Sequence, residues 1–224
     1  MNYKVLTNQN AMSKKKSGLQ LKIIINHSKP PIWRRIVIPS NCTFHDLHLA
    51  IQSSFDWEGY HLYGFEEGGR ARLWNDEQIV DLSIEENEEI GSIDSRTEKI
   101  IDYLKNKGDR ISYTYDFGDD WHHGIILEKI IDDYDLDYPK CIKASMHAPC
   151  EDSGSLWGWY NKLNILKGIK IEGINEEEAE SIVEWMCEMI PEIEELEDPK
   201  DFDPTVVDMD AINEELSMFR DHEV

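Results

Sequence analysis

Between Asp116 and His123 the chain gathers three aspartates, two adjacent histidines and a tryptophan around one glycine. Carboxylate oxygens and imidazole nitrogens together make a ligand set suited to a divalent metal, beside which a further carboxylate can activate water. Asp116, Asp119 and His123 are the candidate metal ligands. A pocket completed by His48, His61, Trp121, Glu151 and Asp152 would give a metal-dependent hydrolase or nuclease. The same residues also have a plainer reading. His123 falls on the strand face of Trp121, Ile125 and Leu127, and His48 on the apolar face of a helix, where histidines are buried and hydrogen-bonded. Asp116 and Asp119 suit capping of turn N–H groups. No G-x-S-x-G elbow or phosphate-binding glycine loop is present, and no cysteine lies in an activating motif.

Positioning these groups falls to a hairpin. Tyr113, Tyr115 and Phe117 alternate with Thr114 and Asp116, and on the return Trp121, His123, Ile125 and Leu127 alternate with His122, Ile126 and Glu128. Gly118-Asp119-Asp120 makes the turn, with Gly118 supplying positive φ. A three-residue loop sets Asp116 opposite His122 and Tyr115 opposite His123, and a two-residue loop shifts that pairing by one.

Upstream, residues 19–25 and 32–38 read as paired strands turned at Pro30-Pro31, with Arg34 and Arg35 on opposite faces. Thr43, with Asp46 three residues on, caps a helix whose inward face is Phe44, Leu47, His48, Ile51 and Phe55. A strand at 61–65 follows, then Gly68-Gly69 and Trp74, a solvated acidic run at 85–89, and a helix over 97–107 ended by Gly108. After an extended stretch at 138–142, helices are expected from Trp157 to about Lys167, from Asn175 (capped with Glu178) to Pro191, and from Asp208 to the end. The expected fold is α+β: a mixed sheet with a β-grasp-like strand-strand-helix-strand start, a central β-hairpin and acidic C-terminal helices. Residues 1–18 read as a flexible arm, 19–171 as the core domain and 172–224 as a helical region packed on it.

Charge sharpens the choice of partner. The formal charge is −23, and residues 172–224 hold 20 acidic against two basic residues. Such a surface repels phosphate, which disfavours direct nucleic-acid binding and favours a basic protein partner. No signal-type leader and no run of about 18 apolar residues occurs, so a cytoplasmic protein is expected. Cys42, Cys141, Cys150 and Cys187 are too widely spaced for a knuckle and read as free thiols, with Cys141, Cys150 and His147 as a weak zinc alternative.

Three stretches together resemble the plasmid pRiA4b ORF-3-like family, whose members are often encoded beside mobile elements. They are Pro31-Ile-Trp-Arg-Arg35 with Phe44 to His48, Phe55-Asp-Trp57 and His61-Leu62; then Tyr115 to His123 with Leu127-Glu128; then Tyr138 to Cys141, Ala148-Pro149, Glu151-Asp152, Gly154 and Gly158, with Phe202-Asp-Pro204 and Ile212-Asn213. The chain departs from that pattern at Tyr63, where a second histidine is common, at Cys150 in place of proline, and at Ser155 after Gly154. The resemblance implies a fold and a shared polar pocket rather than a reaction. The preferred role is a non-enzymatic accessory or interaction module, with the metal-dependent hydrolase as the alternative.

Overall fold

A computed structural model of the protein describes residues 16–67, 78–83 and 92–220. The 1–15 part of the expected arm, Gly68-Gly69, Trp74 and the acidic run at 85–89 lie outside them. Eight strands form one sheet in the order β5-β4-β3-β6-β7-β1-β2-β8. Its centre is β7 (Trp121–Asp132) between β1 (Ser17–Ile25) and β6 (Arg110–Tyr115), all antiparallel. β2 (Trp33–Pro39) and β8 (Lys140–Ser145) extend one side. β3 (Tyr63–Glu67), β4 (Ile79–Val80) and β5 (Ile93–Asp94) extend the other, and the parallel β4–β5 pair makes the sheet mixed. With six α-helices among the described residues, the architecture is α+β. β1 starts at Ser17, two residues earlier than the sequence suggests. The early strand β3 pairs with β6, so β6 and β7 separate it from the opening hairpin.

The strand alternation is what sorts the two faces. Leu19, Leu21, Ile23, Ile36, Ile38, Tyr113, Tyr115, Trp121, His123, Ile125 and Leu127 all point into the core. On the other face Arg35 holds Glu128 and stands over the Trp33 ring. Arg34 turns inward and donates to the carbonyls of Trp33, Ser54 and Met146. The two arginines therefore do take opposite faces.

Helix α1 (Phe44–Phe55) starts at a complete Thr43/Asp46 capping box. Its predicted inward face is buried, but so is almost every other residue of the helix, because α6 (Met209–Ser217) covers the far side. Arg220 just beyond α6 pairs with Asp46. On the opposite flank of α6, the Asn213 side-chain amide accepts from the Cys141 N–H of β8 and donates to the Cys141 carbonyl. α3 (Ser155–Leu166) packs against α4 (Glu176–Met189), which opens on the expected Asn175/Glu178 capping box. The expected helix over 97–107 shrinks to one turn, α2 (Ile100–Tyr103), since Leu104 leaves helical geometry and the Asp109 carboxylate takes the N–H groups of Lys105 and Asn106. Ile190 ends α4 and Pro191 opens the one-turn α5 (Pro191–Glu194). No helix among the described residues is long and apolar enough to cross a membrane.

Candidate functional site

The hairpin turn differs from its sequence reading. Tyr115 pairs with Trp121 and Tyr113 with His123, so the loop runs five residues from Asp116 to Asp120. Asp116 is not opposite His122, and Tyr115 is not opposite His123. The shift from a three-residue loop is two positions, which preserves both strand faces. Positive φ is supplied by Asp116 (50°) and Asp120 (55°) rather than by Gly118. Aspartate tolerates this left-handed region because its carboxylate bonds the local backbone, as the Asp116 carboxylate does with the Gly118 N–H.

That conformation leaves the second Asp116 oxygen 3.9 Å from His61 Nε2. From the other side the 146–154 loop brings Asp152, also at positive φ, to 3.1 Å from the same nitrogen. His61, Asp116 and Asp152 each present one ligand atom, all within 4.8 Å of one another. Tyr60 donates to the second Asp152 oxygen at 3.0 Å. Behind them Glu151 accepts from the Tyr115 hydroxyl and, at 2.7 Å, from the Glu58 N–H. Desolvation holds the Glu151 carboxyl above the ordinary range, although both hydrogen bonds work against it.

Through Tyr60, His61 and Glu151, but not Asp116 or Asp152, this cluster joins the lining of a cleft of about 900 Å³ between α1, the Trp57–Tyr63 segment and the end of α4. A relay of side chains makes its floor. Tyr113 Oη lies 2.8 Å from both His48 Nδ1 and Gln52 Nε2. The His48 ring stacks on Tyr63 at 3.7 Å, and the Tyr63 hydroxyl meets His45 Nδ1 at 2.9 Å and Ser95 Oγ at 2.8 Å. Burial drives the His48 imidazole well below its ordinary range, so it is neutral. At the far rim Arg96 holds Asp81 through a pair of hydrogen bonds.

The sequence-predicted residues divide into three groups. His61, Asp116, Glu151 and Asp152 meet beside the cleft, and His48 lies in its floor. Asp119 sits on the adjoining turn, where its carboxylate accepts from the Gly154 N–H at 2.8 Å and so ties the hairpin to the 146–154 loop. Trp121 and His123 are fully buried behind, packed on Trp57, with His123 Nδ1 on the Trp121 carbonyl. Burial pushes the His123 imidazole down to about 3. The trio Asp116, Asp119 and His123 does not come together, because the His123 ring is packed in the core against Phe55 and Trp57. Among the described residues, His61 and Asp152 are the groups whose possible ligand atoms lie close to that of Asp116. Sequence reasoning missed Gln52 and Tyr60, and touched His45 and Tyr63 only as parts of the family pattern. His45 and His48, one helical turn apart, carried the only local signal for this floor.

Comparison with known proteins places these residues in context. The sequence model described as plasmid pRiA4b ORF-3-like protein matches residues 17–211, which span both the sheet and every group of this cluster. A relative, uncharacterized protein y4hQ of Sinorhizobium fredii, is 29% identical over 170 residues, covering 75% of this chain and 80% of its own length. The crystal structure of MM3350 from Methanosarcina mazei Go1, titled a protein of unknown function, is similar at a TM-score of 0.67 and 35% identity. That match covers 88% of this chain and 97% of the other. The chain belongs to the plasmid pRiA4b ORF-3-like family.

Proposed function

We propose that the chain is a divalent-cation-dependent hydrolase of small, non-anionic esters or amides. The observation that carries this reading is the meeting of His61, Asp116 and Asp152 within 4.8 Å beside a cleft that His61 also lines. One imidazole and two carboxylates suit a metal such as Mn²⁺ or Zn²⁺ and leave coordination positions open. An ion held by His61, Asp116 and Asp152 would supply Lewis acidity toward a carbonyl oxygen. Glu151, adjacent to Asp152 and raised by desolvation, is the carboxylate suited to take a proton from the attacking water. The water oxygen bonds to the carbonyl carbon, the bond to the leaving group breaks, and Glu151 returns the proton to that group. A nuclease is the less suited version, since carboxylates crowd the cleft rim and repel phosphate.

The test is titration calorimetry of EDTA-treated protein with Mn²⁺ and Zn²⁺. Wild type should take up one equivalent, and Asp116→Asn, which keeps the left-handed turn, should weaken uptake at least tenfold. Asp119→Ala should bind nearly normally. No uptake by wild type, or uptake indifferent to Asp116→Asn, would sink the reading.

A second reading, a non-enzymatic accessory module for a basic, DNA-handling protein, is favoured by one feature. The outer faces of α4 and α6 are strongly acidic, and the neighbouring α3 leaves Trp157 74% exposed. Metal uptake without turnover of any ester or amide would leave this as the better account.

A further inference from the structure

We infer that the outer face of the sheet binds single-stranded nucleic acid, with its phosphates along a row of cations and a base on Trp33. This goes beyond the hydrolase reading and does not depend on it.

The first ground is a row of charge fixed by the strand register. Arg110 pairs with Ile126, Ile126 with Lys22, Lys22 with Arg35, and Arg35 with Lys143. Residues opposite one another in a ladder share a face, so these five side chains form one line across β6, β7, β1, β2 and β8. Four strand spacings of about 4.8 Å make that line roughly 19 Å long. Arg110 and Lys143 are exposed at its ends, with Lys22, Arg35 and Ile126 half-buried between them. Glu128, the carboxylate on this face of the five strands, is taken up by Arg35 and Gln20. No salt bridge among the described residues engages Arg110, Lys22 or Lys143. The acidity of the chain lies on the other side of the sheet, where α6 covers α1 and the end of α4 borders the same cleft as α1. Net charge thus repels phosphate from most of the molecule, and this face is the exception.

The second ground is the aromatic beside the row. Trp33 is half-buried, two residues from Arg35 on the same face of β2. Lys22 Nζ lies 4.7 Å from its ring centre, Arg35 Cζ 5.2 Å and Lys143 Nζ 6.0 Å. An ammonium over a solvated indole is held weakly, and a nucleobase stacked there is held more strongly. Lys22 and Lys143 can therefore leave the ring for phosphate oxygens while a base takes their place. Unpaired cations around an aromatic select a nucleic-acid strand over an acidic peptide, which brings charge but no base. A duplex keeps its bases stacked on one another and offers none to Trp33.

The experiment measures the fluorescence anisotropy of a labelled twelve-nucleotide oligothymidylate with the full chain in EDTA, over a series of NaCl concentrations, with poly-L-glutamate as a competitor. Wild type should bind saturably at low salt. Log affinity should fall against log salt with a slope of about −2, from three phosphates at about −0.7 each. Arg110→Gln and Lys143→Gln change exposed residues and leave the fold intact. Each should weaken binding two- to fivefold and flatten the slope by about 0.7. Trp33→Leu should weaken binding about tenfold with the slope unchanged. Absence of binding by wild type, or indifference to both Arg110→Gln and Lys143→Gln, would overturn the inference. So would indifference to Trp33→Leu, which would leave only a general polyanion surface. Poly-L-glutamate competing as well as unlabelled oligothymidylate would give the face to an acidic protein segment and overturn it too. Binding by a protein that takes up no Mn²⁺ would uphold the inference and remove only the hydrolase.

Discussion

His48, His123 and His147 are held below the ordinary imidazole range, chiefly by burial, with His123 pushed down to about 3. An unfolded chain protonates these rings near about 6.5, whereas the folded chain refuses the protons. Their contribution to stability is thus complete above about 6.5 and is lost as pH falls from there toward about 3. Carboxylates held down by partners, such as Glu128 on Arg35, act only at lower pH, below the ordinary carboxylate range of about 4.3. Melting temperature should therefore drop steadily between pH 7 and pH 5, and His123→Phe should flatten part of that slope. A profile level across this window would contradict the neutral-core account. At this scale the sequence was informative about direction and poor about reach. Alternation alone put His123 with Trp121 in the core, as found. Which carboxylate would meet which imidazole depended on a five-residue turn whose glycine is not the left-handed residue, and no local pattern encodes that.

Elements bring Glu151 and Asp152 to the hairpin through a close crossing of backbone. A Cβ on Gly158, in the first turn of α3, would collide with the Ser153 carbonyl oxygen. Only glycine lets the helix pass under the 146–154 loop so tightly, so Gly158→Ala must displace one or the other. We expect a loss on the order of 1–3 kcal/mol in urea unfolding, in line with overpacking elsewhere. Mn²⁺ affinity should fall with it, because the displaced loop carries Asp152. Unchanged stability and uptake would show that the crossing is slack. Capped helices were the most legible elements: Thr43 with Asp46 and Asn175 with Glu178 both form the boxes their spacing announces. The predicted helix over 97–107 was less so, since a side chain four residues downstream claims its backbone donors.

Across the whole molecule, a formal charge of −23 on 224 residues opposes compaction. Raising NaCl from 10 to 300 mM shortens the screening length from about 30 Å to well under 10 Å, and the melting temperature should rise accordingly. A fall would mean that ion pairs such as Arg220–Asp46 outweigh the repulsion. The α+β class and the acidic character of the last helices could be read from the chain. The order of the strands could not, because β3 finds its partner β6 some 45 residues later, and periodicity is silent about such distant choices. The strand at the end of the sheet, β8, would ordinarily invite another chain to continue the ladder. Asn213 occupies both backbone groups of Cys141 as a neighbouring peptide unit would. A single side chain from α6 thus blunts that border against fibril-like growth.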